Sequence, residues 1–276
     1  MTGRTGKGRD GGEPQTPLEH FGEEVRLERE RLGIEREELG KEAFCGYSLV
    51  SKIETGKRVP SPEFGEACDR LFPDSHGRFS RLAAFVLKCA FQPSFRKYVE
   101  LEEIAATIRR YNCMLVPGLI QTEDYARALM ATGRARNQED LVTARMARQR
   151  ILLREHPPAL WLILEEIVLR RAFGGREVMR EQLKRILTLA AQTPHVVQVL
   201  PEREDAVHGQ ANQFGILSFD EGADVAHVEA FPNGLLLTEP REVAMALQNY
   251  ALLSAKALSP DESFALIESV LKERYS

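Results

Sequence analysis

Tyr47, Ser48, Ser51 and Lys52 have the types and spacing of a polar helix face. Positions three and four apart lie on one side of a helix. Three hydroxyls and an ammonium would therefore stand together. That set suits hydrogen bonding to base edges and phosphate oxygens rather than bond cleavage. Gly56 follows as a helix stop. Lys57 and Arg58 come at once, where they could meet a phosphate backbone.

Two short helices must hold that face. Leu39 and Ala43 are four apart, and Val50 and Ile53 are three apart, so each pair marks one apolar side. Packing those sides together turns Tyr47, Ser48, Ser51 and Lys52 outward. A first helix is expected over 18–32, with Phe21, Val25, Leu32 and Leu27 as its stripe and Gly33 as its end. A fourth opens at Ser61-Pro62, a cap followed by a proline at the first helical position, and buries Phe64, Ala67, Cys68 and Leu71.

The run SLVSKIETGKRVPS (48–61) resembles the Cro/repressor-like, xenobiotic-response-element type of helix-turn-helix domain. The resemblance implies that the second helix enters the major groove of double-stranded DNA. By position it assigns DNA contacts to Tyr47, Ser48, Ser51, Lys52, Lys57 and Arg58, and to Arg36, which stands where the family usually has Gln. It makes Glu54 a brace of the fold. Two positions depart from the family. Phe44 replaces the turn glycine that takes a positive φ, so either Gly46 supplies the turn or the turn is distorted. Gly40 replaces the usual alanine, at a cost of about 1 kcal/mol in helix stability.

Charge runs against easy DNA binding. Residues 18–72 hold 13 acidic and 9 basic side chains, a net of −4. Non-specific affinity comes mainly from neutralising phosphates. Weak, steeply salt-dependent binding by a monomer follows, and a homodimer would double the basic footprint. The acids gather in the first two helices, which could face away.

The 276 residues allow two domains, and the whole chain also carries −4. A disordered arm is expected over 1–16, a helix-turn-helix domain over 17–73, a helical linker over 74–98, and an α+β domain over 99–276. No apolar run suits a membrane span, and the basic N-terminus lacks a signal core. Cys45, Cys68, Cys89 and Cys113 are widely spaced, as in a reduced cytoplasmic protein. Six histidines show no ligand spacing, so no metal or cofactor is expected. No nucleophile elbow or phosphate loop appears, so no enzyme is expected either.

In the remainder, helices are expected over 79–90, 98–111, 137–154, 243–258 and 261–274, and a further one after Gly174-Gly175. Strands are expected over 159–163, 195–200, 214–219, 225–231 and 235–238, with Asn233-Gly234 as a hairpin turn. This is an α+β domain with a mainly antiparallel sheet and flanking helices. Trp161 sits in an apolar run and reads as core. His208-Gly209-Gln210 reads as a surface turn. Glu165-Glu166 reads as a structural pair for Arg170 or Arg171 rather than an acid/base pair.

The segment VPGLIQTEDYA (116–126) resembles a signature of the C-terminal domain of WhiJ-like bacterial regulators. Arg145 to Gln149, LILEEIVLRR (162–171), VQVLP (197–201), GQANQFGILSF (209–219), HVE (227–229) and ALSPDES (257–263) follow in that family's order. The resemblance implies a transcriptional regulator, often encoded beside a small partner protein and sometimes antitoxin-like. It brings no catalytic residues. Seven arginines fall between 127 and 154 against Glu139 and Asp140. Arg145, Arg148 and Arg154 could form a basic ridge for an acidic partner or an anionic ligand. The alternatives are a solvated face or ion pairs with Glu165 and Glu166. The whole reads as a DNA-binding regulator controlled by a partner protein or small molecule. The rival is an adaptor with a vestigial helix-turn-helix.

Overall fold

A computed structural model of the chain describes residues 16–91, 93–133, 137–202, 212–230 and 234–276. The expected arm (save Thr16), the His208-Gly209-Gln210 turn and Asn233 of the hairpin turn lie outside the described residues. The chain divides into two compact units, Met1–Cys89 and Ala90–Ser276.

The first unit is helical: α1 (Pro17–Arg31), α2 (Arg36–Glu42), α3 (Tyr47–Glu54), α4 (Pro62–Leu71) and α5 (Arg78–Cys89). Thr16 and Glu19 form a reciprocal capping box at the start of α1, with Pro17 in its first turn. Ser61 caps α4 by accepting from the Phe64 amide. Gly33 and Gly56, at φ 67° and 64°, follow α1 and α3. Phe21, Val25, Leu39, Val50, Ile53, Phe64, Ala67, Cys68, Phe72 and Phe79 are buried together at the interior of the bundle. Leu27 is half exposed instead of completing the α1 stripe. The Phe72 and Phe79 rings meet edge to face at 5.1 Å.

The region expected to be a linker is two helices, one in each unit. α5 packs on α1 and α4 through Phe79 and Ala83. α6 (Pro93–Glu102) lies in the second unit and sends Tyr98 into that unit's core. Amphipathic helices cannot stay solvated as spacers when a bundle or sheet offers to bury their apolar side.

The turn between α2 and α3 departs from both expectations. Phe44 itself takes the left-handed conformation, at φ 51°, and its ring is 95% exposed. Gly46 is extended, at φ −85°, and serves as the N-cap of α3. The tight turn brings the Cys45 carbonyl oxygen to 2.7 Å from where a Cβ on Gly40 would lie. The Cys45 amide also donates to the Gly40 carbonyl at 2.7 Å. Gly40 is therefore required by close approach, and its poor helix propensity is tolerated for that reason.

Buried charge ties this unit together. Glu54, at the end of α3, is fully enclosed. Its carboxylate accepts from Arg29 Nε of α1 at 2.6 Å and from Arg36 Nε of α2 at 2.7 Å. Arg29 also donates to the Ile34 carbonyl at 2.8 Å, fixing the α1–α2 connection. Three helices thus share one carboxylate.

The second unit is a six-stranded sheet in the order β3-β2-β1-β4-β5-β6. The strands are β1 (Thr107–Asn112), β2 (Ala159–Glu165), β3 (Val196–Leu200), β4 (Phe214–Ser218), β5 (Val225–Val228) and β6 (Leu235–Leu237). β1, β2 and β3 run parallel. The β1–β4, β4–β5 and β5–β6 pairings are antiparallel, so the sheet is mixed and mostly antiparallel. Helical crossovers join the parallel strands, as they must. α7 (Glu123–Ala131) and α8 (Gln138–Arg148) lie between β1 and β2, and α9 (Glu166–Arg170) and α10 (Arg176–Ala190) between β2 and β3. α11 (Pro240–Lys256) and α12 (Pro260–Tyr275) close the chain.

One face of the sheet buries Ile108, Leu160, Leu162, Leu164, Val197 and Leu217 with Met179, Leu183 and Ile186 of α10 and Ile267 and Val270 of α12. The other buries Tyr111, Ile163, Phe214 and Ile216 against Ala246, Tyr250 and Leu253 of α11. Ser259 and Glu262 form a capping box on α12, and Ser263 accepts from the Val199 amide of β3 at 2.8 Å.

Two expectations fail here. The helix expected over 98–111 ends at Glu102, and Thr107–Asn112 is the central strand β1. Leu101, Ile104, Ala105 and Ile108 fit a helical period, but pairing on both edges of the segment overrides that local pattern. Trp161 is 40% exposed, not core. It projects from the α11 side of the sheet, with the Arg109 guanidinium 5.0 Å from its ring centroid.

Two outcomes are expected in the full chain. Glu54→Ala leaves two guanidinium groups without their carboxylate and lowers the stability of the first unit by about 3–5 kcal/mol in urea unfolding. Phe44→Gly relieves the left-handed strain and raises it by about 0.5–1 kcal/mol in the same measurement.

Candidate nucleic-acid interface and a buried arginine cavity

The outer face of α3 carries the expected set. Tyr47, Ser48 and Lys52 are exposed and Ser51 is partly so. Lys57 is exposed and Arg58 half-buried in the loop that follows, where the Lys57 amide donates to the Lys52 carbonyl at 2.8 Å. Among the described residues, the side chains of Ser48, Lys52 and Lys57 engage no hydrogen-bond or ion-pair partner. Their donors and charges are left unused by the described residues.

Arg36 is placed differently from a free contact. Its Nε is held by Glu54, and its Nη1 donates to the Tyr47 hydroxyl at 3.1 Å. Its guanidinium lies 5.7 Å from the Tyr47 ring centroid. Glu54 and then Tyr47 raise its pKa, so it stays charged while orienting Tyr47. Glu54 is the brace that the resemblance implies.

The acidic excess is partly neutralised on the helices that bear it. Glu28 meets Arg31 at 2.6 Å and Arg78 at 3.5 Å. Glu24 meets Arg78 at 3.6 Å, and Glu42 meets Arg70 at 2.6 Å. These pairs leave the uncompensated cations Lys52 and Lys57 beside the α3 face.

The second unit contains a cavity of about 370 Å³. Strand β1 places Arg110 in it, one position along the same face from Ile108. Helix α8 contributes Arg145 and Arg148, which lie three apart on one helix side. His227 enters from β5 and Glu229 from just beyond it. Phe95, Val116, Leu129, Met130 and Leu141 supply apolar wall.

The arginines are not equivalent. Arg148 is paired with Glu102, Nη2 to Oε1 at 2.6 Å, and both side chains are buried. Its guanidinium also lies 4.9 Å from the Phe95 ring centroid. Arg110 is paired with Glu229 and donates to the Tyr98 hydroxyl at 3.4 Å. Burial opposes the charge on Glu229, but Arg110 holds its pKa below the usual carboxylate value. Arg145 has no carboxylate among the described residues. Its Nη1 donates to Gln121 Oε1 at 2.7 Å, and its Nε is enclosed without a partner. Burial, then the charge of Arg148, lowers its pKa to about 10.

His227 is 2% exposed, and among the described residues neither of its ring nitrogens has a partner. Burial, then the Arg110 charge, lowers its pKa to about 4, so the ring is neutral near pH 7. It packs 4.7 Å from the Tyr98 ring centroid.

The Pro117-Gly118 turn is pinned by two side chains. Gln149 Nε2 donates to the Gly118 carbonyl at 2.8 Å and to that of Gln121 at 2.9 Å. Gln182 of α10 donates to the Ile120 carbonyl and accepts from the Thr122 amide, both at 2.8 Å. Thr122 caps α7 by accepting from the Tyr125 amide. The turn thereby presents Gln121 to Arg145, and a Cβ on Gly118 would lie 3.4 Å from Arg145 Cδ. The two stretches 116–126 and 145–149 meet at this one place.

Arg145 and Arg148 are thus brought together, but not as an exposed ridge. Arg154 is apart from them, exposed and donating to the Glu103 carbonyl. Glu165 and Glu166 are not the partners of these arginines. Glu165 accepts from the Tyr111 hydroxyl at 2.5 Å, and Glu166 pairs with Arg170 at 2.6 Å. Sequence reasoning missed Arg110, Gln121, His227 and Glu229 as cavity residues, and Glu102 as the partner of Arg148. The signal for Arg110 was a charge between Ile108 and Tyr111 in a segment that reads as helix. His227 and Glu229 stood in the noted HVE run, with nothing local to say that they face Arg110.

Among the described residues, no group of three or more His, Cys, Asp or Glu is placed to hold a metal, and no helix is long and apolar enough to cross a membrane. The four cysteines are free.

Residues 20–72 match the model of a helix-turn-helix domain, which covers α1 to α4 and the polar α3 face. No curated protein and no solved structure matches the chain. Residues 95–269 match the model of a domain of unknown function, DUF5753, which spans the sheet, its helices and the cavity. The match covers more than half of the chain, which therefore belongs to the DUF5753 family and carries a helix-turn-helix domain ahead of it.

Proposed function

We propose that this protein is a bacterial, cytoplasmic, non-enzymatic transcription regulator that binds double-stranded DNA through α3. The observation that carries this reading is the α3 face itself. Ser48, Lys52 and Lys57 offer donors and charge that no described residue uses. Tyr47 is held in place by Arg36, and Arg36 by Glu54. A recognition helix needs side chains held this firmly, because a base contact selects only when its donor cannot reorient.

The finer reading is a regulator of the xenobiotic-response-element type with a WhiJ-like C-terminal domain. It acts as a homodimer, and the C-terminal unit takes a small partner protein or a ligand as its input. Such an input works by binding two dimer geometries with different affinity. The net charge of −4 over 18–72 makes two copies of the α3 face more effective than one. The acidic excess and the exposed Phe44 favour the rival, an antitoxin-like adaptor that uses this unit to bind protein. A bare phenyl group at a helix turn is better suited to an apolar partner than to phosphate.

Binding of the purified chain to its own promoter DNA, at two salt concentrations and beside a scrambled duplex, separates the two readings. The regulator binds the promoter selectively. Lys52→Ala, Lys57→Ala and Arg58→Ala each weaken it by roughly 3- to 10-fold and each lower the salt slope by about 1. Equal affinity for promoter and scrambled duplex, with and without the neighbouring gene's product, sinks the regulator and favours the adaptor.

A further inference from the structure

We propose that the cavity of the second unit is a binding site for a small organic monocarboxylate with an apolar body, and that Arg145 is its charge partner. The proposal names the input of the regulator described above, but the site stands on its own geometry and does not require DNA binding.

Charge arithmetic selects a monoanion. Three guanidinium groups line the cavity, from Arg110, Arg145 and Arg148. Two carboxylates answer them: Glu229 on Arg110 and Glu102 on Arg148. One positive charge is left, on Arg145, whose only hydrogen-bond partner among the described residues is the neutral amide of Gln121. Arg145 is partly buried, with its Nε enclosed, and a guanidinium so placed without a counter-charge destabilises the empty protein. A single carboxylate would complete the set. A phosphate dianion would overshoot it.

The remaining lining agrees with this choice. Arg145 Nε is an enclosed donor with no acceptor among the described residues. His227 adds one unpartnered donor and one unpartnered acceptor from a ring that is neutral at pH 7. Phe95, Val116, Leu129, Met130 and Leu141 give the ligand's body an apolar seat. The volume, about 370 Å³, falls in the range of small-molecule sites. A guanidinium fork matches the two oxygens of a carboxylate, which accounts for arginine at this position rather than lysine.

Placement of Arg145 is also costly to arrange. Gln121 meets it from the Pro117-Gly118 turn, and that turn is itself held by Gln149 and Gln182. Packing alone would be served as well by a methionine at position 145. Holding an unneutralised cation beside open volume is the pattern of a ligand site, where stability is given up for binding.

The test uses the full chain without DNA. Phenylacetate, benzoate and octanoate, each at millimolar concentration, are compared with phenylacetamide, benzamide and octanamide, and with inorganic phosphate. Thermal unfolding and titration calorimetry give the readouts. At least one carboxylate is expected to raise the unfolding midpoint by ~2–4 °C, with its amide and phosphate inert. Arg145→Gln is expected to weaken that carboxylate by roughly 10- to 100-fold. Arg154→Gln, outside the cavity, is expected to leave it unchanged. Without ligand, Arg145→Gln and Arg145→Met are expected to melt no lower than the wild type, because they remove an unneutralised charge. Several results overturn the proposal. These are no stabilisation by any carboxylate, equal action of acid and amide, tighter binding of phosphate, or a lower midpoint of both Arg145 variants without ligand. Failure of promoter binding with carboxylate binding intact removes the DNA reading and leaves this one standing.

Discussion

A guanidinium group taken out of water has to find a counter-charge or enough hydrogen bonds to replace its hydration. Both units of this protein are arranged around that requirement. In the first, one enclosed carboxylate, Glu54, answers Arg29 and Arg36 and so fixes α1, α2 and α3 against one another. The same interaction reaches the surface, because Arg36 passes its constraint to Tyr47. In the second unit, Glu102 and Glu229 answer Arg148 and Arg110 from α6 and from the end of β5. One pair ties α8 to α6 and the other ties β1 to the end of β5, both at the cavity.

The helix-turn-helix shows how a local misfit is absorbed. Phe44 occupies a position where a left-handed backbone is needed, and no neighbour relieves it of that conformation. The turn stays tight, and the helix before it gives way instead: Gly40 loses its side chain so that the Cys45 carbonyl can approach. Two residues that look like separate departures from a helix-turn-helix pattern meet at one tight turn. The exposed Phe44 ring is what remains on the surface.

Much of the fold was legible before any coordinates. The α1 stripe through Phe21 and Val25, the cap at Ser61-Pro62, the glycine stops at 33 and 56 and the outward set on α3 all followed from periodicity and capping chemistry. These are signals carried by a few adjacent residues. Strand β1 was not legible. Its two arginines hide the alternation of a strand, and its apolar residues continue the spacing of α6. Trp161 was misplaced because an apolar run in a strand does not reveal how far the covering helix extends.

The sequence by itself determined the helix-turn-helix, the residues on its outer face, and an α+β domain behind it, because each rests on short-range spacing. Only the tertiary structure decided which arginine lacks a carboxylate among the described residues. Arg145 and Arg148 are three residues apart and look alike in the sequence. Glu102, 46 residues from Arg148 along the chain, neutralises one, and Gln121 meets the other. Coulomb energy depends on distance in space and on the medium between the charges. Neither can be read from the order of residues along a chain.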